Sequence, residues 1–120
     1  MILPIRDRHT FVALRTNGTR VRRGPLSLGF LDDGPDGATR VAYAITSRVG
    51  SAVVRNRLRR RLRAIFSELD RSAPGTVPLG ALLISAGPEA ARHNPEELRN
   101  DVVRLLAALE SRRIPVLEDR

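Results

Sequence analysis

The sequence predicts an α+β fold, in which three helices pack on a four-stranded mixed sheet in the order α-β-β-β-α-β-α. Two neighbouring segments of strand-like composition predict a hairpin or a meander, and a later strand, amphipathic helix and apolar strand predict a βαβ unit. The 120 residues contain neither an internal repeat nor a long linker. We therefore expect one domain over residues 1–113, followed by a flexible tail over residues 114–120.

The N-terminal part predicts one short helix and three strands. Asn17-Gly18 is a typical C-cap for the helix, and Gly24-Pro25 is a turn between the first two strands. The run from Asp32 to Gly37 has the composition of a further turn. The predicted elements are a helix over Arg6 to Thr16 and strands over Thr19 to Arg23, Leu26 to Leu31 and Arg40 to Ser47.

The C-terminal part predicts two further helices around an apolar strand. Ser51 is the expected N-cap of a long helix that ends near Ser72, and Leu79 to Ala86 has the length and composition of an interior strand. Asn94-Pro95-Glu96-Glu97 predicts the start of the last helix, with a cap, a proline at the first position and acids in the first turn. The long helix has its apolar residues on one face: Val54, Leu58, Leu62, Ile65, Phe66 and Leu69.

The long helix also carries the excess positive charge of the chain. From Gly37 to Ser67 there are eight arginines and no acid, so this window alone equals the net charge of +8. Every basic residue of the chain is arginine, which suits bidentate phosphate contacts and is equally consistent with a GC-rich genome. At about 100° per residue, Arg57 and Arg61 lie on one flank and Arg55 near the edge of the apolar stripe. The opposite face contains Asn56, Arg59, Arg60 and Arg63.

This charge pattern opposes the stability of the helix. Three like-charge pairs are spaced i,i+4, namely Arg55/Arg59, Arg59/Arg63 and Arg57/Arg61, and each costs about 0.2 to 0.5 kcal/mol. Cations in the first turns also oppose the helix dipole, for a total of about 1 to 3 kcal/mol. A polyanionic partner would offset this repulsion, and a positive charge collected on one face is typical of nucleic-acid binders.

No motif predicts catalysis by protein side chains. Asp32, Asp33 and Asp36 cluster, but in a turn where Asp commonly forms local hydrogen bonds. His9 and His93 are far apart and lack metal-ligand spacing, and the chain has no cysteine. No apolar run approaches the roughly 18 residues of a membrane span, and the N-terminal apolar run is too short for a signal peptide. We expect a cytoplasmic protein with no membrane partner.

The stretch from Val49 to Phe66 strongly resembles the protein subunit of bacterial ribonuclease P. Its hallmark is Arg55-Asn56-Arg57, followed by an apolar residue, basic residues and another arginine one turn later. The likeness covers most of the chain, because a phenylalanine on a short N-terminal helix, three strands, a basic helix, an apolar strand and a closing helix occur in the same order. The resemblance implies an α/β sandwich with a left-handed βαβ crossover, against the usual right-handed rule.

The resemblance also implies RNA partners and no DNA partner. Family members pair with a large catalytic RNA, which holds the Mg²⁺ ions and removes the 5′ leader from precursor tRNA, while the protein supplies no catalytic group and binds no cofactor alone. The residues expected to contact the catalytic RNA are Arg55, Asn56, Arg57, Arg59, Arg60 and Arg63. The residues expected to line the cleft for the single-stranded leader are Phe11, Arg15, Ser47 and Arg48.

The chain departs from the family pattern around this cleft. The family often has a second aromatic one turn after the first, where this chain has Arg15, and an aromatic near the position of Gly29. Ser47-Arg48 replaces a common pair of lysines. Arg15 and Arg48 would substitute by phosphate contact or guanidinium stacking.

Two other functions stay open from the sequence. A general basic RNA-binding or ribosome-associated module would bind many RNAs equally and would not respond to a leader. A protein-only nuclease would use the aspartates or histidines named above, and its cleavage would survive removal of RNA. The ribonuclease P hypothesis predicts instead that the protein alone cleaves nothing and restores activity at low Mg²⁺ when added to the RNA.

Overall fold

Five strands and three α-helices make up the part of the chain described by the computed structural model, residues 2–32 and 38–113. The strands are β1 (Ile2–Pro4), β2 (Thr19–Arg23), β3 (Leu26–Leu31), β4 (Thr39–Ala44) and β5 (Gly80–Ala86). The helices are α1 (Arg8–Asn17), α2 (Ala52–Ser72) and α3 (Pro95–Arg113), and a 3₁₀ helix covers Pro88–Arg92. Most of the turn predicted after β3, residues 33–37, and the tail predicted over 114–120 lie outside the described residues.

The strands form one mixed sheet in the order β1-β4-β5-β3-β2. β4 is parallel to both β1 and β5, whereas β3 is antiparallel to both β5 and β2. The predicted mixed sheet, its hairpin and its parallel βαβ pair are therefore confirmed. The predicted count of four strands is wrong, because Ile2–Pro4 adds an edge strand that is too short to show a periodic pattern. The hand of the crossover stays a prediction.

The sheet separates two apolar clusters. On one face α2 and α3 pack against β-strand residues such as Leu82 and Ile84, and Phe66 is completely buried there. On the other face α1 covers part of the sheet, with Leu14 against Ala81. Because alternate residues of β5 point to opposite faces, α2 and α1 lie on opposite sides of the sheet.

The ends of α2 agree with the sequence prediction. The Ser51 hydroxyl accepts a hydrogen bond from the Val54 N–H at 3.3 Å, and the Ala73 N–H donates to the Leu69 carbonyl at 2.9 Å. The apolar stripe enters the core: Leu58, Leu62, Ile65, Phe66 and Leu69 are buried. The basic side of the helix is therefore turned away from the core.

The other helix ends also follow local signals. Gly18 is the C-cap of α1, as predicted, and its N–H donates to the Leu14 carbonyl at 3.1 Å. Its backbone is extended, and a Cβ there would collide with the same carbonyl oxygen. Asn94 and Glu97 form a reciprocal capping box at the start of α3, with N–H to side-chain oxygen distances of 2.9 and 2.8 Å. Among the described helices, none combines the length and apolar character needed to cross a bilayer.

Candidate RNA interface

The basic face of α2 consists of Arg55, Asn56, Arg57, Arg59, Arg60, Arg61 and Arg63. The structure brings all six residues predicted to contact RNA onto this one helix. They differ in exposure, because Asn56, Arg57, Arg60 and Arg63 are exposed whereas Arg55, Arg59 and Arg61 are half-buried. The exposed members are thus free to meet a partner, and the half-buried arginines Arg55 and Arg59 also make contacts within the protein.

Arg55 and Arg59 hold the loop that joins β4 to α2. The Arg55 Nε donates to the Gly50 carbonyl at 3.3 Å, and the Arg59 guanidinium donates to the Ile45 carbonyl at 3.4 Å and to Asn56 Oδ1 at 2.9 Å. Ser47 and Arg48 occupy an exposed turn between these two carbonyls. The two arginines therefore fix the position of the turn in addition to contributing charge.

Arg63 lies over the ring of Tyr43 on β4. Its guanidinium carbon is 5.8 Å from the ring centroid, within the range of a cation–π contact. Burial raises the pKa of Tyr43 to about 12, while the Arg63 charge acts in the opposite direction. Tyr43 in turn meets the edge of the Phe66 ring, with centroids 6.3 Å apart, so the basic face is joined directly to the core.

No acid in the described ranges neutralises the basic face. Across residues 2–32 and 38–113, none of the arginines of the basic face lies within 4.0 Å of a carboxylate oxygen. Glu68, the first acid of α2, is instead bound by Arg99 of α3 at 2.9 Å. Hydrogen bonds from Arg99 and then Ser72 lower the pKa of Glu68. Within the described residues, no carboxylate therefore offsets the repulsion predicted from the sequence.

A cleft of about 260 Å³ lies on the opposite side of the sheet, between α1 and strands β2, β3 and β5. The two predicted leader residues of α1 both line it, with Phe11 half-buried and Arg15 exposed. Gly29 forms part of its floor, and a Cβ on Gly29 would meet no atom within 4 Å. The remaining lining residues are Leu14, Arg20, Ser27, Leu28, Leu83 and Ser85.

A polar cluster at the start of α1 positions this wall of the cleft. Asp7 is the N-cap of α1, and its carboxylate accepts hydrogen bonds from the Thr10 N–H at 2.9 Å and the Thr10 hydroxyl at 2.6 Å. Those two bonds lower the pKa of Asp7. Arg40 of β4 approaches both residues, at 3.9 Å from Asp7 Oδ1 and 3.4 Å from the Thr10 hydroxyl oxygen. The cluster thus ties α1 to the sheet one residue before Phe11.

Ser47 and Arg48 are not among the residues that line the cleft. They follow the C-terminal end of β4, where Ala44 pairs with Ser85, a cleft residue on β5. The predicted strand Arg40 to Ser47 is shorter in the structure and ends at Ala44. The turn therefore lies beyond the strand end nearest to Ser85, between the cleft side of the sheet and the start of α2.

Sequence reasoning missed two residues near these surfaces. Arg20 lines the cleft, and the predicted hairpin could have revealed it, because pairing across the Gly24-Pro25 turn places Arg20 opposite Gly29. Val53 is 73% exposed in the first turn of α2, one helical turn before Arg57. An apolar side chain next to a basic face is a further candidate contact, and the helical period that places Arg57 and Arg60 on this face places Val53 between them.

Of the acids and histidines considered for nuclease chemistry, the structure describes His9, His93 and Asp32. His93 Nδ1 lies 2.6 Å from Asp101 Oδ2, an acid partner that the sequence did not reveal, and this pair links the segment before α3 to α3 itself. His9 and Asp32 are exposed, whereas Asp33 and Asp36 lie outside the described residues. Across residues 2–32 and 38–113, no group of three His, Cys, Asp or Glu side chains is arranged to hold a metal ion.

The ribonuclease P family model matches residues 3–110 of the chain. The chain is 35% identical over 104 residues to the ribonuclease P protein component of Nocardioides sp. strain JS614, covering 85% of this chain and 86% of that protein. It is 39% identical over 90 residues to the ribonuclease P protein component of Thermus scotoductus, covering 72% of this chain and 52% of that protein. The chain therefore spans about half the length of the Thermus relative.

The fold is also similar to that of a solved structure. The Staphylococcus aureus RNase P protein superposes with a TM-score of 0.78 at 17% identity, over 89% of this chain and 94% of that chain. The helices and strands therefore follow that fold over most of the chain. With the family model matching 108 residues, from 3 to 110, the chain belongs to the ribonuclease P protein family.

Proposed function

We propose that this chain is the non-catalytic protein subunit of a bacterial ribonuclease P, which removes the 5′ leader from precursor tRNA. In this assembly the RNA subunit holds the Mg²⁺ ions and hydrolyses the phosphodiester bond between the leader and the mature tRNA. The protein contributes two surfaces, the basic face of α2 for the catalytic RNA and the cleft beside α1 for the leader. The observation that carries this function is the basic face, in which no acid offsets the arginines within the described residues.

The exposed members of the basic face supply the contacts to the catalytic RNA. Arg57 and Arg60 are exposed on the side of α2 away from the core, and Arg63 is exposed above the Tyr43 ring. Asn56 adds an amide that donates and accepts hydrogen bonds. Phosphates placed along this face would remove the repulsion between the arginines and release counterions from the RNA. Recognition would rest on backbone and shape, since these groups suit phosphates more than base edges.

Arg55 and Arg59 give the basic face a second role. Their hydrogen bonds to Gly50 and Ile45 hold the turn that contains Ser47 and Arg48. This turn lies between the cleft side of the sheet and α2, so Arg48 can reach a strand that leaves the cleft toward the catalytic RNA. The same arginines would therefore couple the placement of the two RNA molecules.

The cleft suits a single strand whose bases are unstacked. Phe11 provides an aromatic face for a base, while Arg15 and Arg20 supply cations for the phosphates at the rim. Small residues at the floor, Gly29 and Ser85, let a nucleotide approach the sheet closely. A paired duplex would offer no free base to Phe11, which favours the single-stranded leader over the tRNA stem.

The protein would accelerate cleavage by positioning and by charge. Two RNA molecules repel each other, and the net charge of +8 lowers that repulsion when the protein lies between them. Holding the leader in the cleft brings the scissile bond to the catalytic RNA in a fixed geometry, which converts an association step into an intramolecular one. A less negative electrostatic potential near the scissile bond would also let the RNA cleave at lower Mg²⁺ concentrations.

The test is cleavage of a 5′-extended precursor tRNA at low Mg²⁺ by a bacterial ribonuclease P RNA, with and without the protein. A protein-only reaction is the control for contaminating or intrinsic nuclease activity. Cleavage that requires both components is the expected result. Cleavage by the protein alone would instead support a nuclease that uses its own side chains.

A second outcome would favour a different function. If the protein binds the RNA with a steep salt dependence but never assists cleavage, a general basic RNA-binding module is the better description. Competition with unrelated structured RNAs separates the two, because a general module binds them equally well whereas a subunit prefers the ribonuclease P RNA.

A further inference from the structure

A second basic surface lies at the far edge of the sheet from β1. We call it the edge track and define it as Arg20, Arg22, Arg23 and Arg112. The first three belong to β2, which pairs with β3 at one edge of the described sheet, and Arg112 comes from the last turn of α3. All four side chains are exposed, and they line a groove of about 510 Å³ together with Val21, Ser27, Ala108 and Ser111.

The edge track is continuous with the leader cleft. Arg20 and Ser27 line both the cleft and the groove. In the strand register Arg20 lies opposite Gly29 and Arg22 opposite Ser27, so both arginines lie on the cleft side of the sheet. A chain that leaves the cleft across β2 therefore passes Arg20 and Arg22, which are about 6.6 Å apart along the strand.

Two of the guanidinium groups are fixed at this edge by backbone carbonyls. Arg112 donates to the Arg20 carbonyl at 3.0 Å, and Arg23 donates to the Arg22 carbonyl at 2.6 Å. A guanidinium has five N–H donors, so each keeps donors for a phosphate after making one such bond. Within the described residues, no carboxylate lies within ion-pair distance of any member of the edge track.

Protection of an edge strand against pairing with another chain explains part of this pattern. A charged side chain on the edge is sufficient for that purpose, and the carbonyl contacts of Arg23 and Arg112 contribute to it. Protection alone does not require four cations around a groove that opens into the cleft. The continuity with the cleft favours a polyanion that occupies both surfaces.

We propose, on the basis of the function proposed above, that the edge track binds backbone phosphates of leader nucleotides that extend beyond the cleft. Precursor tRNAs with long 5′ leaders then bind the holoenzyme more tightly than those with short leaders, through contacts that do not depend on base identity.

The experiment measures equilibrium binding of precursor tRNAs to the complex of ribonuclease P RNA and protein, under conditions that block cleavage. Leaders of about 4 and about 16 nucleotides bracket the site sizes of single-strand grooves. The test variant is Arg22→Gln with Arg23→Gln, which keeps the alkyl stems and a hydrogen-bond donor while removing two charges. Arg71→Glu, at the exposed end of α2, lowers the net charge by the same amount and is the control.

With the unmodified protein, the long leader should bind more tightly than the short one, and this gain should shrink as salt increases. Each phosphate contact contributes about 0.7 to the slope of log affinity against log salt, so two lost contacts remove about 1.4. A slope difference of about 1.4 changes the affinity gain from the longer leader about 7-fold between about 200 and 50 mM salt. The double variant should lose this share of the gain, while the Arg71→Glu control should keep it.

Two results would overturn the edge track as a leader site. One is equal affinity for both leaders with the unmodified protein in a complex that cleaves both substrates. The other is a full length-dependent gain in a double variant whose thermal unfolding matches that of the control. Failure of the unmodified complex to cleave any precursor would contradict the proposed function itself, and the edge track with it.

Discussion

Replacement of Arg57 and Arg60 by alanine should stabilise the free protein and weaken its binding to RNA. Both side chains are exposed on the basic face of α2, and neither forms a hydrogen bond or an ion pair within the described residues. Their removal therefore leaves no buried group without its partner. The substitution isolates the charge of the basic face from its structural contacts, which belong to Arg55, Arg59 and Arg63.

The expected gain in stability follows from the helical spacing. The double substitution removes three like-charge pairs, Arg57/Arg60, Arg57/Arg61 and Arg60/Arg63, at about 0.2 to 0.5 kcal/mol each. The free energy of unfolding should rise by about 0.6 to 1.5 kcal/mol, which for a domain of this size raises Tm by about 2 to 6 °C. Thermal unfolding followed by circular dichroism measures this. An unchanged or lower Tm would contradict the repulsion that we infer.

The expected loss in binding follows from counterion release. Two phosphate contacts contribute about 1.4 to 1.8 to the slope of log affinity against log salt. The loss of RNA affinity caused by the double substitution should therefore be about 7- to 12-fold larger at 50 mM than at 200 mM salt. Binding isotherms with a ribonuclease P RNA at several salt concentrations measure the slope. A control variant with Arg71→Ala and Arg104→Ala removes two exposed charges elsewhere. Equal slopes for the two variants would remove the basic face from the interface.

Three further predictions concern the cleft and the core. Gly29→Tyr should tighten leader binding by about 1 to 3 kcal/mol through base stacking, because a Cβ at this position meets no atom within 4 Å. The Gly29→Ala variant should show no such gain, and the Gly29→Tyr variant should show none with a tRNA that lacks a leader. Asp7→Ala should speed amide hydrogen exchange in α1 more than Asp7→Asn does, because Asp7 caps the helix. Since the pKa of Asp7 is lowered, the contribution of its carboxylate to stability is present above pH 3.8 and is lost as pH falls through the folded-state pKa. Tyr43, the only tyrosine, should titrate near pH 12 in phenolate absorbance, and its contribution to stability, which is full below pH 10, should fall as pH rises toward 12. Tyr43→Phe should remove that alkaline loss, and any titration of Tyr43 near pH 10 would contradict its burial.

The elements with strong local signals were predicted to within one or two residues. Strands β2 and β3 have the predicted bounds, and α2 begins after Ser51 as expected. Caps and turns are determined by residues that are close in sequence, so local patterns predict them. The strand β1 was missed because its partner β4 lies more than thirty residues away and its three residues hold no pattern of their own. The early end of β4 also has a tertiary cause, since the Ile45 carbonyl is taken by Arg59 of α2 rather than by a neighbouring strand.

The sequence predicted which residues make up the candidate site, but not which of its arginines are exposed and which bind backbone carbonyls. Helical periodicity placed Arg55 near the edge of the apolar stripe, yet it could not separate exposed Arg60 from Arg59, which donates to the Ile45 carbonyl. That bond depends on where the loop before α2 lies, which is fixed by the whole sheet. The role of Arg20 was within reach, because hairpin register alone places it opposite Gly29.

The apolar and basic sides of α2 have opposite effects on the stability of the free protein. Burial of Leu58, Leu62 and Phe66 contributes about 1.5 to 3 kcal/mol each, so a few core contacts outweigh a repulsion of about 1 to 3 kcal/mol and the helix forms without RNA. Salt weakens that repulsion and also competes with phosphate binding. The stability of the free protein should therefore rise with salt over the range in which RNA affinity falls. A helix that has its charge for solubility alone would show the first dependence without the second.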